Sequence, residues 1–479
     1  MAADWLASAG STRIDTDPLG SVSLAANALH GAQAERARLN FPITGLTVAR
    51  LPALLVALAQ VKRSAARVNG TLGLIPAHVA EAIVDAAGAI IAGEYHELLP
   101  VDVCQGGAGT STNMAMNEVI ANLALVRSGR AAGRYDVIHP NDHVNCGQST
   151  NDAYATAVRI AVHRLNLDLA AKLNLLEAAM AKKAAEFAGH HKLGRTQLQD
   201  AVPMTLGQEF GAFATTIGED AARAREIGKW FLEINLGGTA IGTGIGADKA
   251  YRRAIVGALA DETGLALVRA QNLVEASWDT GAFVLYGGML KRIAAKLSKI
   301  ANDLRLLSSG PVGGMGEIRL PDRQPGSSLM PGKVNPVIPE AVNAIAFRVF
   351  GLDTSITFAA EAGQLQLNAF EPIIIWSLHE AVDLLTHGID MLIENCVNGI
   401  TADPDRCAAN LTASTALATE LVPLIGYATA ARIAQAARLN GDLAAAVDEI
   451  APEHSDFVRA RIASLGRKTT TPPAERDGT

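Results

Sequence analysis

The pattern of hydrophobic positions along the chain predicts a protein built mainly from long helices. Five stretches repeat apolar residues at helical spacing for about 25 to 35 residues, which corresponds to roughly 40 to 50 Å of helix. They cover residues 152–188, 207–233, 281–307, 339–363 and 372–396. Because apolar positions exceed one stripe per helix, we expect these helices to be buried against one another and against other subunits.

Weaker patterns flank these helices and suggest three domains. We expect an all-α protein with an N-terminal helical domain at residues 1–148, a central five-helix bundle at residues 149–404 and a small C-terminal helical domain at residues 405–479. No alternating apolar pattern predicts a strand anywhere in the chain. The last stretch, GRKTTTPPAERDGT, is polar and proline-containing, so we expect it to be disordered.

Composition supports close-packed helices and argues against several classes of protein. Hydrophobic residues make up 49% and aromatic residues only 4%, so alanine and leucine supply most of the core. No apolar run approaches the roughly 20 residues of a membrane span. A net charge of −7 gives no indication of nucleic-acid binding. The four cysteines suggest neither a disulfide framework nor a metal site, and the N-terminus has no pattern of a secretory signal, so we expect a cytoplasmic protein.

Four polar, glycine-rich segments interrupt the apolar background near the ends of predicted helices. They read QGGAGTSTNM (105–114), HPNDHVNCGQSTND (139–152), GRTQLQDAVPMT (194–205) and GSSLMPGKVNP (326–336). Each segment alone fits a turn or a helix cap. Together they offer many hydroxyl and amide groups and one cation, Lys333, which suits a small substrate that carries carboxylates.

Other common sites do not fit these segments. The run GGAGTS lacks the lysine of a P-loop, and residues 237–246 do not follow the glycine spacing of a dinucleotide site. No HExxH or paired CxxC motif occurs, so no metal is predicted. Ser327 does not lie in a GxSxG motif, which argues against a hydrolase of that type.

The segment GSSLMPGKVNP resembles the signature loop of the fumarase/aspartase superfamily, whose members cleave C–N or C–O bonds and release fumarate. The other three polar segments resemble superfamily motifs as well, and the resemblance runs from GAQAERARLNFPIT to VPLIGY. Within the superfamily, GQSTNDAY, NLGGTAIGTG and AAEAGQLQLNAFEP are similar to aspartase sequences. Fumarases carry histidine after the threonine at 196, whereas this chain has Gln197, which cannot titrate near neutral pH. The resemblance therefore favours deamination of L-aspartate to fumarate over hydration.

Three alternatives stay open at this point. The chain is also compatible with a class II fumarase, with a lyase acting on a substituted aspartate, and with a catalytically silent structural protein on the same scaffold. Intact Ser327, Lys333, Asn335 and Thr196 argue against the silent protein.

The resemblance implies a role for each candidate site residue, without any cofactor. Ser327 is the general base that removes a proton from the carbon beside the β-carboxylate, and Lys333 stabilises its alkoxide. The hydroxyl donors for the resulting aci-carboxylate are Thr110, Ser149, Thr150 and Ser328. The α-carboxylate is bound by Lys333, Asn335 and Thr196, and the amino group is bound by Asn151 and Gln197.

The resemblance also implies a homotetramer whose active sites are shared between subunits. His139, Asn141 and Asp142 match a second, peripheral anion site, although a structural turn fits them equally well. The chain departs from the usual superfamily pattern at three positions near the motifs, and two of these, Ala115 and Gly246, are expected to reshape the pocket. The three positions are Ala115, Ala155 and Gly246.

Overall fold

A computed structural model describes residues 11–465 of the chain, and the C-terminal stretch expected to be disordered lies outside this range. The chain divides into two compact units. Within the described residues, the first unit consists of residues up to 169, 223–291 and 348–384, and the second unit consists of residues 170–222, 292–347 and those from 385 onward. The predicted division into three domains is a different partition and stays a prediction.

Helices account for most of the described chain. The α-helices are α1 (Ala32–Asn40), α2 (Pro52–Thr71), α3 (Ala77–Ile91), α4 (Thr110–Arg127), α5 (Thr150–Glu186), α6 (Leu206–Gly228), α7 (Lys249–Thr263), α8 (Gly281–Leu307), α9 (Val337–Glu361), α10 (Glu371–Asn395), α11 (Pro404–Thr412), α12 (Ala418–Asn440), α13 (Leu443–Ile450) and α14 (Ser455–Leu465). The predicted all-α class is therefore confirmed.

The five predicted long helices are α5, α6, α8, α9 and α10. Helix α8 has the predicted bounds, and α5 begins at Thr150, slightly before the predicted start. Helix α6 ends at Gly228 because the chain continues as a 3₁₀ turn, Lys229–Leu232. Sustained apolar periodicity therefore located these elements well.

Within the second unit these five helices contact one another in a closed ring. Small residues permit two of the contacts, and ion pairs or hydrogen bonds mark the other three. The contacts are Gly218 of α6 against Glu177 of α5, Asp220 of α6 with Lys296 of α8, Ser298 of α8 with Asn343 of α9, Ile345 of α9 against Gly388 of α10, and Asp390 of α10 with Lys172 of α5. This ring is the five-helix bundle that the sequence predicts.

The expectation that the chain has no strands was wrong. Eight short strands form four two-stranded sheets within the described residues. They are β1 (Thr12–Asp17), β2 (Gly20–Ala25), β3 (His191–Thr196), β4 (Gln199–Thr205), β5 (Glu233–Ile234), β6 (Val268–Arg269), β7 (Ile318–Arg319) and β8 (Thr401–Ala402). The β1–β2 and β3–β4 hairpins escaped prediction because their sequences, such as TRIDTD and QDAVPMT, carry few apolar residues and no sustained alternation.

The β3–β4 hairpin is anchored in the second unit by a buried ionic cluster. Glu317 is fully buried, with its Oε1 2.9 Å from Nη1 of Arg195 and its Oε2 3.1 Å from Nζ of Lys192. Asn410 of α11 donates a further hydrogen bond of 3.0 Å to Glu317. The neighbouring Leu193 belongs to the apolar core formed by the C-terminal helices. The base of the hairpin is thus fixed by both charge and packing.

The length and apolar content of the described helices decide whether any of them could span a membrane. None of those within residues 11–465 is long and apolar enough to cross a membrane.

We predict that the ionic cluster around Glu317 stabilises the folded protein. Replacing Glu317 with alanine leaves Arg195 without its buried acid, so the free energy of unfolding should fall by about 3 kcal/mol. The matched control is Asp448→Ala, which breaks an exposed pair with Arg459 and should cost less than about 1 kcal/mol. Urea denaturation at one protein concentration measures both. Equal losses for the two variants would contradict an anchoring role for Glu317.

Candidate active site

The segment that begins α5 forms a capping box. Ser149 Oγ accepts a hydrogen bond of 3.3 Å from the backbone N–H of Asn151, and Asp152 Oδ1 accepts one of 2.9 Å from the backbone N–H of Ser149. The helix-cap interpretation of this segment is therefore correct. Accepting this bond does not use the hydroxyl hydrogen of Ser149, which remains able to donate to a ligand.

Asp152 joins this cap to a glycine-rich loop at residues 237–240. Its Oδ2 accepts hydrogen bonds from the backbone N–H groups of Gly237 (3.0 Å) and Thr239 (2.9 Å). Asp152 is fully buried, and burial raises the pKa of its carboxyl group. The side-chain amide of Asn151 donates to the carbonyl oxygen of Ala240 at 2.7 Å. These contacts of Asp152 were not predicted from the sequence, although an acidic residue three positions after Ser149 is typical of a capping box.

The first turn of α4 lies against the first turns of α5. Gly109 adopts a left-handed conformation with a φ of 84°, and a Cβ at this position would lie 2.5 Å from the ring of Tyr154. Thr110, the first residue of α4, is exposed. Asn113, one turn later, donates a hydrogen bond of 3.1 Å to Oγ1 of Thr150. Two helix N-termini with hydroxyl side chains therefore lie together, an arrangement that favours bound anions.

A buried lysine stands behind this segment and was not predicted. Lys62 on α2 is fully buried, and its Nζ donates hydrogen bonds of 2.9 Å to both Asn145 and Gln148. Burial lowers the pKa of Lys62 to about 7, although the charge of Asp152 acts in the opposite direction. Asn145 also accepts a hydrogen bond from Asn113, which donates to Thr150 as well. A chain of hydrogen bonds therefore links Lys62 to Thr150. An apolar helix offered no sequence signal for this residue.

Thr196 and Gln197 lie at the exposed tip of the β3–β4 hairpin. Thr196 pairs with Gln199, so Gln197 and Leu198 form a two-residue turn with left-handed φ values of 55° and 60°. Such a turn normally contains asparagine and glycine, and other residues are strained by about 1 to 2 kcal/mol each. The anchored hairpin base holds the tip in this conformation.

The loop at residues 326–335 is closed by hydrogen bonds between its two ends. The backbone N–H of Gly326 donates to the carbonyl oxygen of Lys333 at 2.7 Å, and the side chain of Asn335 donates to the carbonyl oxygen of Gly326 at 2.8 Å. A Cβ at Gly326 would lie 2.6 Å from the Lys333 oxygen, so only glycine fits. Lys333 itself is exposed.

Ser327 occupies a distinctive position in this loop. Its Oγ accepts hydrogen bonds from the backbone N–H groups of Leu329 (3.0 Å) and Met330 (2.9 Å). Ser327 is half-buried, whereas Ser328 is exposed. Two converging N–H donors stabilise negative charge on an oxygen, so they favour the alkoxide of Ser327.

His139 and its neighbours form a turn. The ring nitrogen Nδ1 of His139 accepts hydrogen bonds of 3.1 Å from the backbone N–H groups of Asn141 and Asp142, at the start of a π-helical turn, Pro140–Val144. This geometry shows the structural turn, and a second anion site at these residues stays a prediction.

The three departures from the superfamily pattern lie on two helices and in a loop. Ala115 on α4 and Ala155 on α5 are buried in the core. Gly246 adopts a left-handed φ of 90°. Their effect on the pocket stays a prediction.

The structure groups the candidate residues in three places. The first place combines the N-termini of α4 and α5, the second is the hairpin tip, and the third is the loop of Ser327. They hold, respectively, Thr110, Ser149, Thr150 and Asn151; Thr196 and Gln197; and Ser327, Ser328, Lys333 and Asn335. Their assembly into one site stays a prediction. Across residues 11–465, no group of three or more histidine, cysteine or acidic side chains is placed to hold a metal ion.

Comparison with known proteins gives consistent matches over most of the chain. A family model described as Lyase matches residues 20–351. The aspartate ammonia-lyase of Pseudomonas aeruginosa is 54% identical over 432 residues, which cover 90% of this chain and 91% of that protein. The aspartate ammonia-lyase of Escherichia coli (strain K12) is 46% identical over 458 residues, which cover 95% of this chain and 93% of that protein.

Solved structures show the same relationship. A fumarate lyase:delta crystallin from Brucella melitensis has a TM-score of 0.91 and 51% identity, covering 95% of this chain and 99% of that chain. A class II fumarase from Schistosoma mansoni has a TM-score of 0.90 at 30% identity, covering 95% of this chain and 98% of that chain. The chain therefore belongs to the Lyase family of the fumarase/aspartase superfamily.

Proposed function

We propose that this enzyme is an aspartate ammonia-lyase, which reversibly converts L-aspartate to fumarate and ammonia without a cofactor. Several relatives with that name are 46% to 54% identical over about nine tenths of the chain, which supports a carbon–nitrogen lyase. The observation that carries the mechanism is the pair of backbone N–H groups directed at the Ser327 oxygen.

Ser327 acts as the general base. An ordinary serine hydroxyl is too weakly acidic to be deprotonated near neutral pH, so its alkoxide needs strong stabilisation. The N–H groups of Leu329 and Met330 supply part of it, and Lys333 adds positive charge from the same loop. The alkoxide removes a proton from the β-carbon of L-aspartate. The electron pair left on that carbon is delocalised into the β-carboxylate as an aci-carboxylate.

Hydroxyl and amide donors stabilise that intermediate. Ser149 and Thr150 each accept a hydrogen bond from the protein, and their hydroxyl hydrogens remain able to donate to the ligand. Together with Thr110 and Ser328 they bind the aci-carboxylate, and the N-terminus of α5 adds its dipole. Thr196, Lys333 and Asn335 bind the α-carboxylate. Collapse of the aci-carboxylate then forms the double bond of fumarate and expels ammonia from the α-carbon.

Gln197 favours ammonia as the leaving group over water. A glutamine side chain orients an amino group through hydrogen bonds but cannot take up a proton near neutral pH. The solved fumarase structure has a similar fold, so a class II fumarase is the second candidate. A substituted aspartate is a further candidate substrate because the chain differs from its superfamily at Ala115 and Gly246.

A homotetramer with shared active sites completes the proposal. Large apolar side chains are exposed on the first unit, including Phe358 of α9 at 70% exposure and Leu365 at 85%. Exposed apolar side chains of this size support an interface between subunits. A shared site also explains how three groups of residues so distant in sequence act on one small substrate.

We place the enzyme in the cytoplasm. All four cysteines carry free thiols, as expected in a reducing compartment.

The reaction is tested directly by absorbance of fumarate. Purified protein should form fumarate from L-aspartate without added cofactor and should convert L-malate poorly or not at all. The reason is that Gln197 lacks the proton-transfer capacity that hydration needs. Efficient dehydration of L-malate with no activity on L-aspartate would overturn the proposal.

The base assignment is tested by three variants in the same loop. Ser327→Ala should lower turnover by about 10²- to 10⁴-fold while substrate binding survives, because it removes the proton acceptor. Ser328→Ala should cost less since it removes one donor, and Lys333→Ala should weaken binding as well as turnover. Single-turnover rates and substrate affinity decide between them. If Ser327→Ala kept nearly normal turnover while Ser328→Ala were inactive, the assignment of the base to Ser327 would be wrong.

Assembly is tested by light scattering. The measured mass should be close to four times 49.9 kDa, because exposed apolar residues such as Phe358 and Leu365 become buried between subunits. A stable monomer with full activity would contradict a shared site.

A further inference from the structure

Asn151 is a candidate ligand for the amino group, and its amide is held in one orientation. The nitrogen Nδ2 donates to the carbonyl oxygen of Ala240 at 2.7 Å. A carbonyl oxygen cannot donate, so the opposite orientation would place two acceptors in contact. The Asn151 carbonyl oxygen is consequently the atom presented on the other side, where it can accept a hydrogen bond from an ammonium group.

The partner of Asn151 lies on a loop that is itself held by Asp152. The Oδ2 of Asp152 accepts hydrogen bonds from the backbone N–H groups of Gly237 and Thr239, which lie three residues and one residue before Ala240. A second contact reinforces this link, because the side chain of Asn235 donates to the backbone carbonyl of Asn151 at 2.9 Å. The loop and the start of α5 therefore form one hydrogen-bonded unit.

Asp152 is placed to hold both sides of this unit at once. Its Oδ1 binds the backbone N–H of Ser149 at 2.9 Å, on the helix side, while its Oδ2 binds the loop. Asp152 is fully buried, so it does not reach a ligand itself. A capping box needs only the Oδ1 contact, and the two additional bonds from the loop go beyond what capping requires.

We propose that Asp152 is a positioning residue: by fixing the Gly237–Ala240 loop against α5, it sets the amide orientation of Asn151 so that a carbonyl oxygen faces the substrate's ammonium group. This inference rests on the proposed function. It assigns a role to the loop at residues 237–240, which the candidate site does not otherwise include.

The test is a double-mutant cycle on kcat/KM for L-aspartate. Asp152→Asn is nearly isosteric, but whichever side its amide nitrogen faces, Ser149 or the loop, a backbone N–H loses its acceptor, so the link between the loop and the start of α5 is weakened. We expect Asp152→Asn and Asn151→Ala each to lower kcat/KM at least about tenfold. Because Asp152 acts through Asn151, the double variant should fall no more than about twofold below Asn151→Ala alone.

A matched control separates positioning from general loss of stability. Asp220→Asn changes an equally buried carboxylate, which pairs with Lys296 in the bundle of the second unit. Asp220→Asn should lower the urea midpoint as Asp152→Asn does. It should leave kcat/KM within about twofold of the wild type, because Asp220 lies outside the candidate site.

The outcomes are distinct. If the two losses multiply in the double variant, Asp152 acts by another route, such as the Ser149 contact, and the inference is wrong. If Asp152→Asn keeps normal kcat/KM, or if Asp220→Asn loses as much, the inference is also wrong. If the wild-type enzyme forms no fumarate from L-aspartate, the proposed function itself fails, which is a different result from additive losses in an active enzyme.

Discussion

Packing of the five long helices is the constraint on which the rest of the structure depends. Their apolar faces are buried in a closed ring, and Gly218 and Gly388 allow neighbouring helices to approach closely. Such helices leave their polar, irregular segments to the ends and connections, where backbone groups need other partners. The candidate groups lie in these segments: the capped start of α5, the hairpin before α6 and the loop before α9.

The hydroxyl groups of the candidate site share one property. Ser149, Thr150 and Ser327 each have an oxygen that already accepts a hydrogen bond from the protein. A hydroxyl that accepts one hydrogen bond from the protein keeps its hydrogen available for a carboxylate. At Ser327 two backbone N–H groups donate to the oxygen, an arrangement that stabilises negative charge there. This difference agrees with the proposed roles of Ser149 and Thr150 as substrate ligands and of Ser327 as the base.

The sequence predicted the helices well because periodicity over many turns is a strong signal. The resemblance supplied the candidate residues, which local patterns alone could not distinguish from turns and caps. Two features were beyond prediction for physical reasons. Lys62 is buried within an apolar helix and owes its place to tertiary partners. The turn at Gln197 and Leu198 opposes local preference and exists because the anchored hairpin imposes it.

Hydrogen–deuterium labelling during the reverse reaction tests the central claim, proton transfer at the β-carbon by a single base, most directly. The enzyme is incubated with fumarate and ammonium in deuterated water, and the product is observed by proton NMR. The account predicts L-aspartate with one deuteron at the β-carbon, in a single stereochemical position, and no product from Ser327→Ala on the same timescale. Deuterium distributed over both β-positions, or malate in place of aspartate, would contradict it.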